Sequence, residues 1–370
     1  MNISRLPRNV QVSVIIPTLN RGHLIGHTLR SLHAQTLLNW EVIVVDDGSI
    51  DRTSELMEEW VRQDDRIHYF KRQDLALSGT PPGAPACRNL GTKLAVGTYT
   101  IYVDSDDVLA TNALAQRVEA MDQNPDLDFA VFPCLLFRDY PGDMRLLYNQ
   151  DKDEDDLDRF LSLDAPWQTM GPIWRRSSIQ SIGLWDELLL SWQDIELHIR
   201  ALVLGLKYRR FPEPDCFWKI FQTTNIGSKA YQPDHLTQHA YFLEKIDIML
   251  VENNLMTPER KYRLASLYFR LLDCWVKIGY PDKAGTVWQT CYAHQLIEEE
   301  IYRSGLFYIR VIRRLSRINF LKIFFSRILK GYFKMTWRSP LLIPQWSSSI
   351  MRTPFYGKNP PLPITRVKQL

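Results

Sequence analysis

Short apolar runs alternate with amphipathic stretches along the first third of the chain. Residues 10–16 and 40–45 are rich in valine and isoleucine, and a polar segment follows each run. Runs of this length and β-branched composition are typical of buried strands. Between them, apolar side chains recur at helical spacing over residues 24–32, with Asn20 as a candidate N-cap. The pattern predicts a strand, a helix and a second strand, which together have the size of one βαβ unit.

The same alternation continues to residue 123. Residues 66–71 and 97–103 predict two further strands, and residues 51–63, 87–96 and 111–123 predict helices. A segment rich in proline and glycine follows the third strand and predicts a loop. Successive βαβ units build a mostly parallel sheet flanked by helices, with ligands outside the carboxyl ends of its strands. The predicted fold class is therefore α/β, with a Rossmann-like sheet.

Carboxylates crowd the ends of two predicted strands. Asp104, Asp106 and Asp107 follow the fourth strand, and Asp46 and Asp47 follow the second. Because side chains alternate along an extended chain, Asp104 and Asp106 should leave on the same side and share a divalent cation, Mn²⁺ or Mg²⁺. Acidic groups at two strand ends make a negatively charged crevice, and a cation relieves that repulsion. The alternative is an Asp-rich turn that caps the next helix.

Two phosphate-binding motifs are missing from the sequence. No Gly-x-Gly-x-x-Gly follows the first strand, and no Gly-Lys-Ser/Thr loop occurs anywhere. This argues against a dinucleotide-dependent oxidoreductase and against a P-loop NTPase. A nucleotide held by its base and by a metal-bound diphosphate fits the acidic strand ends better.

Composition indicates where the protein works. Of its 370 residues, 45% are hydrophobic and 24% are charged, as in globular proteins. Its five cysteines are scattered, and residues 1–9 lack the apolar core of a signal peptide. No apolar run reaches the roughly 20 residues that a membrane-spanning helix needs. We therefore expect a reducing, cytoplasmic compartment.

The net charge of +3 hides an uneven distribution. Residues 301–370 contain 14 basic residues and no acidic one, whereas the first 300 residues contain 31 basic and 42 acidic residues. Arg303, Arg310, Arg314 and Arg317 share one helical face with bulky apolar neighbours, which suits residues 301–338 to the inner surface of an anionic membrane. A helix packed on the protein with a solvated charged face is the alternative. No nucleic-acid-binding module is recognisable, so no nucleic acid is expected as a partner.

Four short segments follow one another along the first 110 residues. They are Val14-Ile15-Ile16-Pro17-Thr18-Leu19-Asn20-Arg21, Val44-Val45-Asp46-Asp47-Gly48-Ser49-Ile50-Asp51-Arg52-Thr53, Ala86-Cys87-Arg88-Asn89-Leu90-Gly91 and Asp104-Ser105-Asp106-Asp107. In this order and spacing they resemble glycosyltransferase family 2, whose members have the GT-A fold. The resemblance is good over residues 10–110, fair to about residue 228, and absent beyond.

The resemblance implies which residues bind the donor. The first-strand segment lines the nucleotide pocket in the family, and Asp47, with Asp46, matches a carboxylate that accepts a hydrogen bond from the base imide. Arg88 and the later Lys219 would meet phosphate oxygens. The donor-binding set is Pro17, Thr18, Asn20, Arg21, Asp46, Asp47, Arg88, Asp104, Ser105 and Lys219. A tight turn at Asp46 and Asp47 and a surface ion pair at Arg88 are the alternatives.

The resemblance also implies a metal site and a general base. Asp104 and Asp106 match the family's DxD motif, with Asp106 as the expected direct ligand. Asp194 matches the catalytic carboxylate that takes the proton from the acceptor hydroxyl. Gln193 stands where relatives carry glutamate, and Phe221 stands where many carry a histidine that can reach the metal or the diphosphate.

A structural role for Asp194 is the alternative to catalysis. Ser191 and Asp194 have the spacing of a capping box at the start of a helix, although such a box prefers glutamate or glutamine at its third position. Aromatic residues of the segment 167–174 would line the acceptor side, or would simply belong to the core.

The function implied is a metal-dependent, inverting, non-processive glycosyltransferase of polysaccharide biosynthesis. It would move a sugar from a nucleotide-diphosphate donor, with UDP expected, to a glycan or lipid-linked acceptor. A catalytically inactive module that binds nucleotide-sugar or glycan as a scaffold or regulator is the alternative, which Gln193 and Phe221 favour. A sugar nucleotidyltransferase would need a glycine-rich phosphate loop after the first strand, and residues 17–21 do not form one.

Four parts are expected along the chain. Two helices, over residues 260–278 and 282–300, should form a hairpin broken at Gly279-Tyr280-Pro281. The expected parts are the nucleotide-sugar-binding half of the GT-A domain (1–110), its acceptor and catalytic half (111–228), a helical extension (229–300) and a basic helix with its tail (301–370).

Overall fold

Strands and helices alternate from the start of the chain to the middle, and helices dominate afterwards. The computed structural model describes residues 10–75, 81–220, 232–315, 324–330, 353–358 and 360–361. The strands are β1 (Val12–Thr18), β2 (Trp40–Asp46), β3 (Ile67–Lys71), β4 (Tyr99–Tyr102), β5 (Val108–Leu109), β6 (Phe129–Val131), β7 (Cys134–Phe137), β8 (Leu146–Leu147), β9 (Pro172–Arg175), β10 (Tyr208–Arg210), β11 (Cys216–Lys219) and β12 (Thr353–Pro354). The helices are α1 (Ile25–His33), α2 (Thr53–Gln63), α3 (Arg72–Leu75), α4 (Ala84–Leu94), α5 (Ala113–Gln123), α6 (Asp156–Leu161), α7 (Arg176–Ser181), α8 (Gln193–Val203), α9 (Pro233–Glu252), α10 (Pro258–Lys277), α11 (Pro281–Ala293), α12 (Glu299–Arg314) and α13 (324–330).

The larger sheet has the strand order β10-β6-β9-β4-β1-β2-β3. Its strands run parallel except β9, which is antiparallel to β4 and to β6. Every residue of β1 and β2 is buried, as expected for central strands that helices cover on both faces. The α/β fold class with a mostly parallel sheet, predicted from the sequence, is confirmed.

The two faces of this sheet pack against different helices. Val12, Val14 and Ile16 share a buried cluster with apolar residues of α1 and α5. Ile15 points the other way and shares its cluster with residues of α4, α8 and the C-terminal helices. A side chain at Gly91 of α4 would approach Ile15 Cγ2 to 2.5 Å, so glycine allows the close contact between α4 and β1.

The smaller sheet has the order β12-β8-β7-β11-β5. Its strand β5 starts directly after the acidic cluster and pairs antiparallel with β11. This pairing brings Lys219, at the end of β11, beside Asp107. The smaller sheet therefore contributes a second wall to the edge where β1, β2 and β4 end.

The C-terminal helices pack on the sheet domain through α8 and α6. Helices α10 and α11 are neighbours joined at Gly279, whose φ of +94° favours glycine, and Pro281 begins α11. The predicted helix over 282–300 is wrong, because α11 ends at Ala293 and α12 begins at Glu299. No helix among the described residues is both long and apolar enough to cross a membrane.

Helix starts show where the sequence pattern was misread. Asn20 is not the N-cap of α1, which begins at Ile25; its φ of +54° places it in a left-handed turn. Helix α4 begins at Ala84, three residues earlier than predicted. Pro85 lies in its first turn, where the missing N–H of proline costs no helical hydrogen bond.

Candidate active site

The ends of β1, β2 and β4 meet at one edge of the larger sheet. Thr18 lies opposite Asp46 in the register of β1 and β2, and the Asp47 N–H donates to the Thr18 carbonyl at 2.9 Å. On the other side of β1, the Val103 N–H donates to the Ile15 carbonyl at 3.0 Å. The structure thus brings together the three polar segments that the sequence placed at strand ends.

Asp46 holds the turn that follows β2. Its Oδ1 accepts the backbone N–H groups of Gly48 at 3.0 Å and Ser49 at 2.8 Å, and its Oδ2 accepts the Tyr69 hydroxyl at 2.5 Å. Burial and then this bond to Asp46 raise the pKa of Tyr69. Both carboxylate oxygens of Asp46 therefore accept hydrogen bonds from within the protein. This is the tight-turn role that was the alternative to binding the nucleotide base.

Asp47 pairs with Arg72, a residue that the sequence reasoning missed. The Arg72 Nε donates to Asp47 Oδ1, and both side chains are about nine-tenths buried. Arg72 is the first residue after β3, the next parallel strand along the sheet. Ligands bind at the carboxyl ends of neighbouring strands. The position of Arg72 directly after the predicted third strand could therefore have identified it as a site residue.

The segment after β1 is tied to the turn after β2. The Asn20 side-chain oxygen accepts the Ile50 N–H at 2.9 Å, and the Arg21 N–H donates to the hydroxyl of the first threonine of α2 at 3.0 Å. Pro17 and Thr18 are buried, and Thr18 Oγ1 has no hydrogen-bond partner among the described residues.

Arg88 connects the acidic strand end to α8. Its guanidinium donates to Asp104 Oδ1 at 2.7 Å and to Gln193 Oε1 at 3.0 Å, and it lies 4.4 Å above the Trp185 ring. Arg88 is 4% exposed, which excludes the surface ion pair that was its alternative. Because Gln193 is neutral, Asp104 is the charged partner of the Arg88 guanidinium in these contacts.

Asn89 fixes the segment that precedes α8. Its Nδ2 donates to the Trp185 carbonyl at 2.9 Å and to Glu187 Oε1 at 2.7 Å, and its Oδ1 accepts the Trp185 N–H at 2.9 Å. Neighbouring residues of α4 therefore hold both the start of α8 and the loop before it.

Three carboxylates lie together after β4. The side chain of Asp104 is 37% exposed, whereas Asp107 is buried and its Oδ1 accepts the Lys219 N–H at 2.8 Å. Asp107 Oδ2 has no hydrogen-bond partner in the described part of the chain. Burial and then the charges of Asp106 and Asp104 raise the pKa of Asp107 well above its ordinary value. Ser105, between the first two carboxylates, is buried.

The acidic cluster offers carboxylate oxygens that a divalent cation could share with a substrate, although Arg88 already donates to Asp104 Oδ1. Within the described ranges, no group of three or more His, Cys, Asp or Glu side chains is arranged to hold a metal. Asp104 and Asp106 are partly exposed and offer hard oxygen ligands, and the mutual repulsion at Asp107 favours a nearby cation. Mg²⁺ is commonly bound by one or two carboxylates plus substrate phosphates.

Lys219 lies between the acidic cluster and α1. Its ammonium is 5.6 Å from the Phe137 ring centroid. Burial lowers the pKa of His27, and the charges of Arg30 and then Lys219 lower it further. The charge of Lys219 therefore acts on a side chain of α1. Phe221, which replaces the family's histidine, lies outside the described residues.

Asp194 lies in the first turn of α8 and belongs to the same charge network. Its Oδ1 accepts the Ile195 N–H at 3.0 Å, and the Thr169 hydroxyl is 3.5 Å from its Oδ2. Burial raises the pKa of Asp194, Arg88 opposes that shift, and Asp104 adds to it. A carboxylate with a raised pKa is better suited to accept a proton near neutral pH than one with the ordinary value.

The C-terminal helix α9 positions the start of α8. The Ser191 hydroxyl bonds to His239 Nε2 at 2.8 Å and to His235 Nδ1 at 3.2 Å, and the Trp192 ring stacks on His239 with centroids 3.6 Å apart. Trp192 has a φ of +60° and is the N-cap residue of α8, without a side-chain cap. The capping box of Ser191 and Asp194 is therefore not formed.

The segment 167–174 divides between the core and a cavity. Trp174 is fully buried and stacks on Phe129 with centroids 4.3 Å apart, so it is a core residue. Trp167 also packs in the core, and with Gln168 it lines a cavity that Tyr148 contacts as well. The acceptor-side interpretation of this segment does not apply to Trp174.

Known sequences match the N-terminal part of this chain. The family model described as Glycosyl transferase family 2 matches residues 13–149. An uncharacterized glycosyltransferase of Rickettsia bellii (strain RML369-C) is 38% identical over 117 residues, which are 32% of this chain and 16% of that protein. The Campylobacter jejuni protein named GalNAc(5)-diNAcBac-PP-undecaprenol beta-1,3-glucosyltransferase is 32% identical over 113 residues, which are 30% of this chain and 35% of its length. The matches thus span well under half the length of these relatives.

A solved structure is similar over most of the chain. The crystal structure of S. aureus TarS 1-349 in complex with UDP-GlcNAc has a TM-score of 0.59 at 19% identity and covers 88% of this chain and 92% of that chain. At this identity the likeness is one of fold. It extends far beyond residues 13–149, into the helical region.

Proposed function

Because residues 13–149 belong to glycosyltransferase family 2 and the chain has the GT-A fold, we propose that it transfers a sugar from a nucleotide-diphosphate donor to an acceptor hydroxyl. The family, predicted from four sequence segments, is confirmed for residues 13–149, the part that the family model matches. The observation that carries the proposal is the network that joins Asp104, Arg88 and Asp194 across the ends of β4 and α8. It supports the proposal that Asp194 is the base and that Asp104 and Arg88 belong to the donor site.

The reaction we propose is a single displacement with inversion. Asp194 takes the proton of the acceptor hydroxyl as its oxygen bonds to the anomeric carbon, and the bond from that carbon to the diphosphate breaks on the opposite face. Arg88 holds Asp104 in place, and its buried charge favours negative charge developing nearby. A divalent cation held by Asp104 and Asp106 would neutralise the departing diphosphate.

The donor we propose is UDP-linked, and the acceptor is a glycan or a lipid-linked glycan. TarS, which shares the fold, was solved with UDP-GlcNAc and with UDP. The Campylobacter relative is named for transfer to an undecaprenol-linked glycan. These names supply the first compounds to test.

We also propose that the protein is cytoplasmic and binds the inner membrane surface through α12. Tyr308, Ile309 and Ile312 of this helix are buried against the neighbouring helices, while Arg310 and Phe307 are exposed. An exposed face that combines basic and bulky apolar side chains suits anionic headgroups. Arg317, the last arginine of the predicted basic face, lies outside the described residues.

Nucleotide-sugars tested with and without Mn²⁺ should raise the melting temperature of the protein. A ligand at 100 times its Kd stabilises the folded state by about 2.7 kcal/mol. We expect UDP and at least one UDP-sugar to do so, with a larger effect when Mn²⁺ is present. EDTA should remove the added effect, and Asp106→Asn should weaken it. If no nucleotide-sugar shifts the unfolding curve under either condition, the proposed function is wrong.

As the pH is lowered, sugar transfer should be lost at a pH above the range in which an ordinary aspartate titrates. Burial raises the pKa of Asp194, and a free aspartate titrates near about 3.9. As the pH falls through the raised pKa, Asp194 binds a proton and can no longer act as a base. The measurement is kcat/KM between about pH 3 and pH 8, with UDP binding followed over the same range as the control. An acid limb at or below 3.9 would contradict the assignment.

A further inference from the structure

One face of α9 lies against the segment that leads to Asp194. Side chains three or four positions apart share a helix face. The residues of this face that contact residues 186–196 are His235, Gln238, His239, Phe242 and Lys245. The Leu190 N–H donates to Gln238 Oε1 at 2.5 Å, and the Lys245 ammonium is 2.9 Å from Glu196 Oε1. Helix α9 therefore holds the chain on both sides of Asp194.

The residue that joins this segment to α8 has an unusual backbone conformation. Trp192, the N-cap residue of α8, has a φ of +60° and a ψ of 22°, in the left-handed region. A bulky side chain rarely adopts this conformation, which persists only where the surrounding structure imposes it. Asp194 follows two residues later, in the first turn of α8. The contacts that hold Trp192 therefore determine how α8 starts, and with it the place of the Asp194 carboxylate.

Two rings of α9 hold the Trp192 side chain. The His239 imidazole stacks on the indole with centroids 3.6 Å apart and an interplanar angle of 8°, and the Phe242 ring meets it edge-on at 5.3 Å. His239 is 3% exposed and Phe242 is 1% exposed. Burial, and then the charges of Arg270 and His235, lower the pKa of His239 to about 3. At neutral pH the stack therefore joins two uncharged rings.

The hydrogen bonds of Ser191 are a second link to the same helix. Its hydroxyl bonds to His239 Nε2 at 2.8 Å and to His235 Nδ1 at 3.2 Å. Because this hydroxyl has two partners, the loss of one bond leaves the other in place. The stack on Trp192, in contrast, uses the His239 ring itself. We therefore expect the ring of His239 to matter more than its hydrogen bond.

We propose that His239 is a positioning residue for sugar transfer: its ring holds Trp192 in the left-handed conformation from which α8 starts, and thereby fixes the Asp194 carboxylate. The proposal rests on the proposed glycosyltransferase function, in which Asp194 is the base. Neither α9 nor residues 191–194 belong to residues 13–149, so the family match does not assign this contact. The helical region then acts in the reaction as well as in the fold.

The test measures kcat and the KM for the donor in variants that separate the ring from its hydrogen bond. His239→Gln keeps a group that can bond to Ser191 but has no ring, and His239→Phe keeps a flat ring but cannot make that bond. Because a small misplacement of a catalytic group slows the reaction, His239→Gln should lower kcat at least about tenfold. The KM for the UDP-sugar and the Kd of UDP with Mn²⁺ should stay at their wild-type values. His239→Phe should recover most of the lost rate.

Transfer is followed as UDP release from the UDP-sugar that stabilises the wild type most, with methyl glycosides or water as the acceptor. Ile248→Ala removes an exposed apolar side chain of the same helix and should leave kcat unchanged. Melting temperatures show whether each variant folds. Should His239→Gln fail to fold, Trp192→Leu removes the same stack at a partly buried residue, and kcat should fall by the same factor.

The outcomes separate the role of His239 from the proposed function. If the wild type turns over and His239→Gln matches its kcat, the positioning role is refuted and the glycosyltransferase function stands. If His239→Gln loses UDP affinity along with kcat, or if His239→Phe is no faster than His239→Gln, His239 only supports the fold and the positioning role is again refuted. If the wild type releases no UDP from any UDP-sugar tested, the proposed function falls and the positioning role falls with it.

Discussion

Replacing Asp194 by asparagine is expected to lower sugar transfer by a factor of about 10² to 10⁴, the usual contribution of a general base. Asparagine keeps the shape of the side chain and an oxygen that can accept the Ile195 N–H, so α8 should start as before. What is lost is the ability to take a proton from the acceptor. Initial rates at saturating UDP-sugar and acceptor measure this directly, and the loss corresponds to about 2.7–5.4 kcal/mol of activation free energy.

Donor binding separates this explanation from a damaged fold. The affinity of Asp194→Asn for UDP with Mn²⁺ should match that of the wild type, since Asp194 belongs to α8 and the nucleotide pocket that we propose lies at the ends of β1 and β2. Asp126→Asn, an exposed aspartate in the turn after α5, provides the matched control and should transfer sugar at the wild-type rate. Full activity in Asp194→Asn would remove the base assignment. Absence of turnover in the wild type, with UDP still bound, would favour the non-catalytic binding module instead.

The fold was predictable because its signals are local. The β-branched runs of β1, β2 and β4 and the helical spacing of α1 each lie within a short window, and parallel strands then require the crossover helices. The same regularity brought Asp46 and Asp104 to one edge of the sheet. Helix ends were less predictable, since Asn20 has the chemistry of a cap but serves a left-handed turn.

The partners of the site residues were not predictable in the same way. The motifs identified Asp47 and Arg88 as site residues. They did not reveal that Arg72 pairs with Asp47, or that Gln193 accepts a hydrogen bond from Arg88. These contacts depend on side-chain directions across strands and helices that lie far apart in sequence. Phe355 is the extreme case, because its place at the cavity beside the smaller sheet follows from the pairing of β12 with β8, and neither strand exceeds two residues.

The departures from the family pattern also take on a different meaning once the contacts are known. As a sequence change, Gln193 suggested a lost charge and hence a lost activity. In the structure its side-chain oxygen accepts from Arg88 at 3.0 Å, so it still orients the guanidinium that holds Asp104. A neutral acceptor there also leaves Asp194 without a second carboxylate directly beside it on α8.

Removing the carboxylate of Asp215 is expected to destabilise the fold strongly. Asp215 accepts two hydrogen bonds from Arg117, at 2.6 and 2.7 Å, and both side chains are fully buried. This pair joins α5 to the strand β11 that borders the acidic cluster, and Arg117 also donates to the Met170 carbonyl at 2.8 Å. Asp215→Ala would leave a buried guanidinium uncompensated, which typically costs 3–5 kcal/mol, or roughly a factor of 10² to 10⁴ in the folding equilibrium.

The size of this effect should depend on the charge that is left behind, and a double variant tests that reasoning. Because two well-packed apolar residues can replace a buried ion pair at little cost, Arg117→Met combined with Asp215→Leu should be more stable than Asp215→Ala alone. Urea unfolding followed by circular dichroism gives the comparison. Glu55→Ala breaks the exposed pair with Arg52 and should leave the unfolding midpoint unchanged. If Asp215→Ala unfolds at the wild-type midpoint, or if the double variant is the less stable of the two, the buried pair does not hold α5 to β11 as the structure implies.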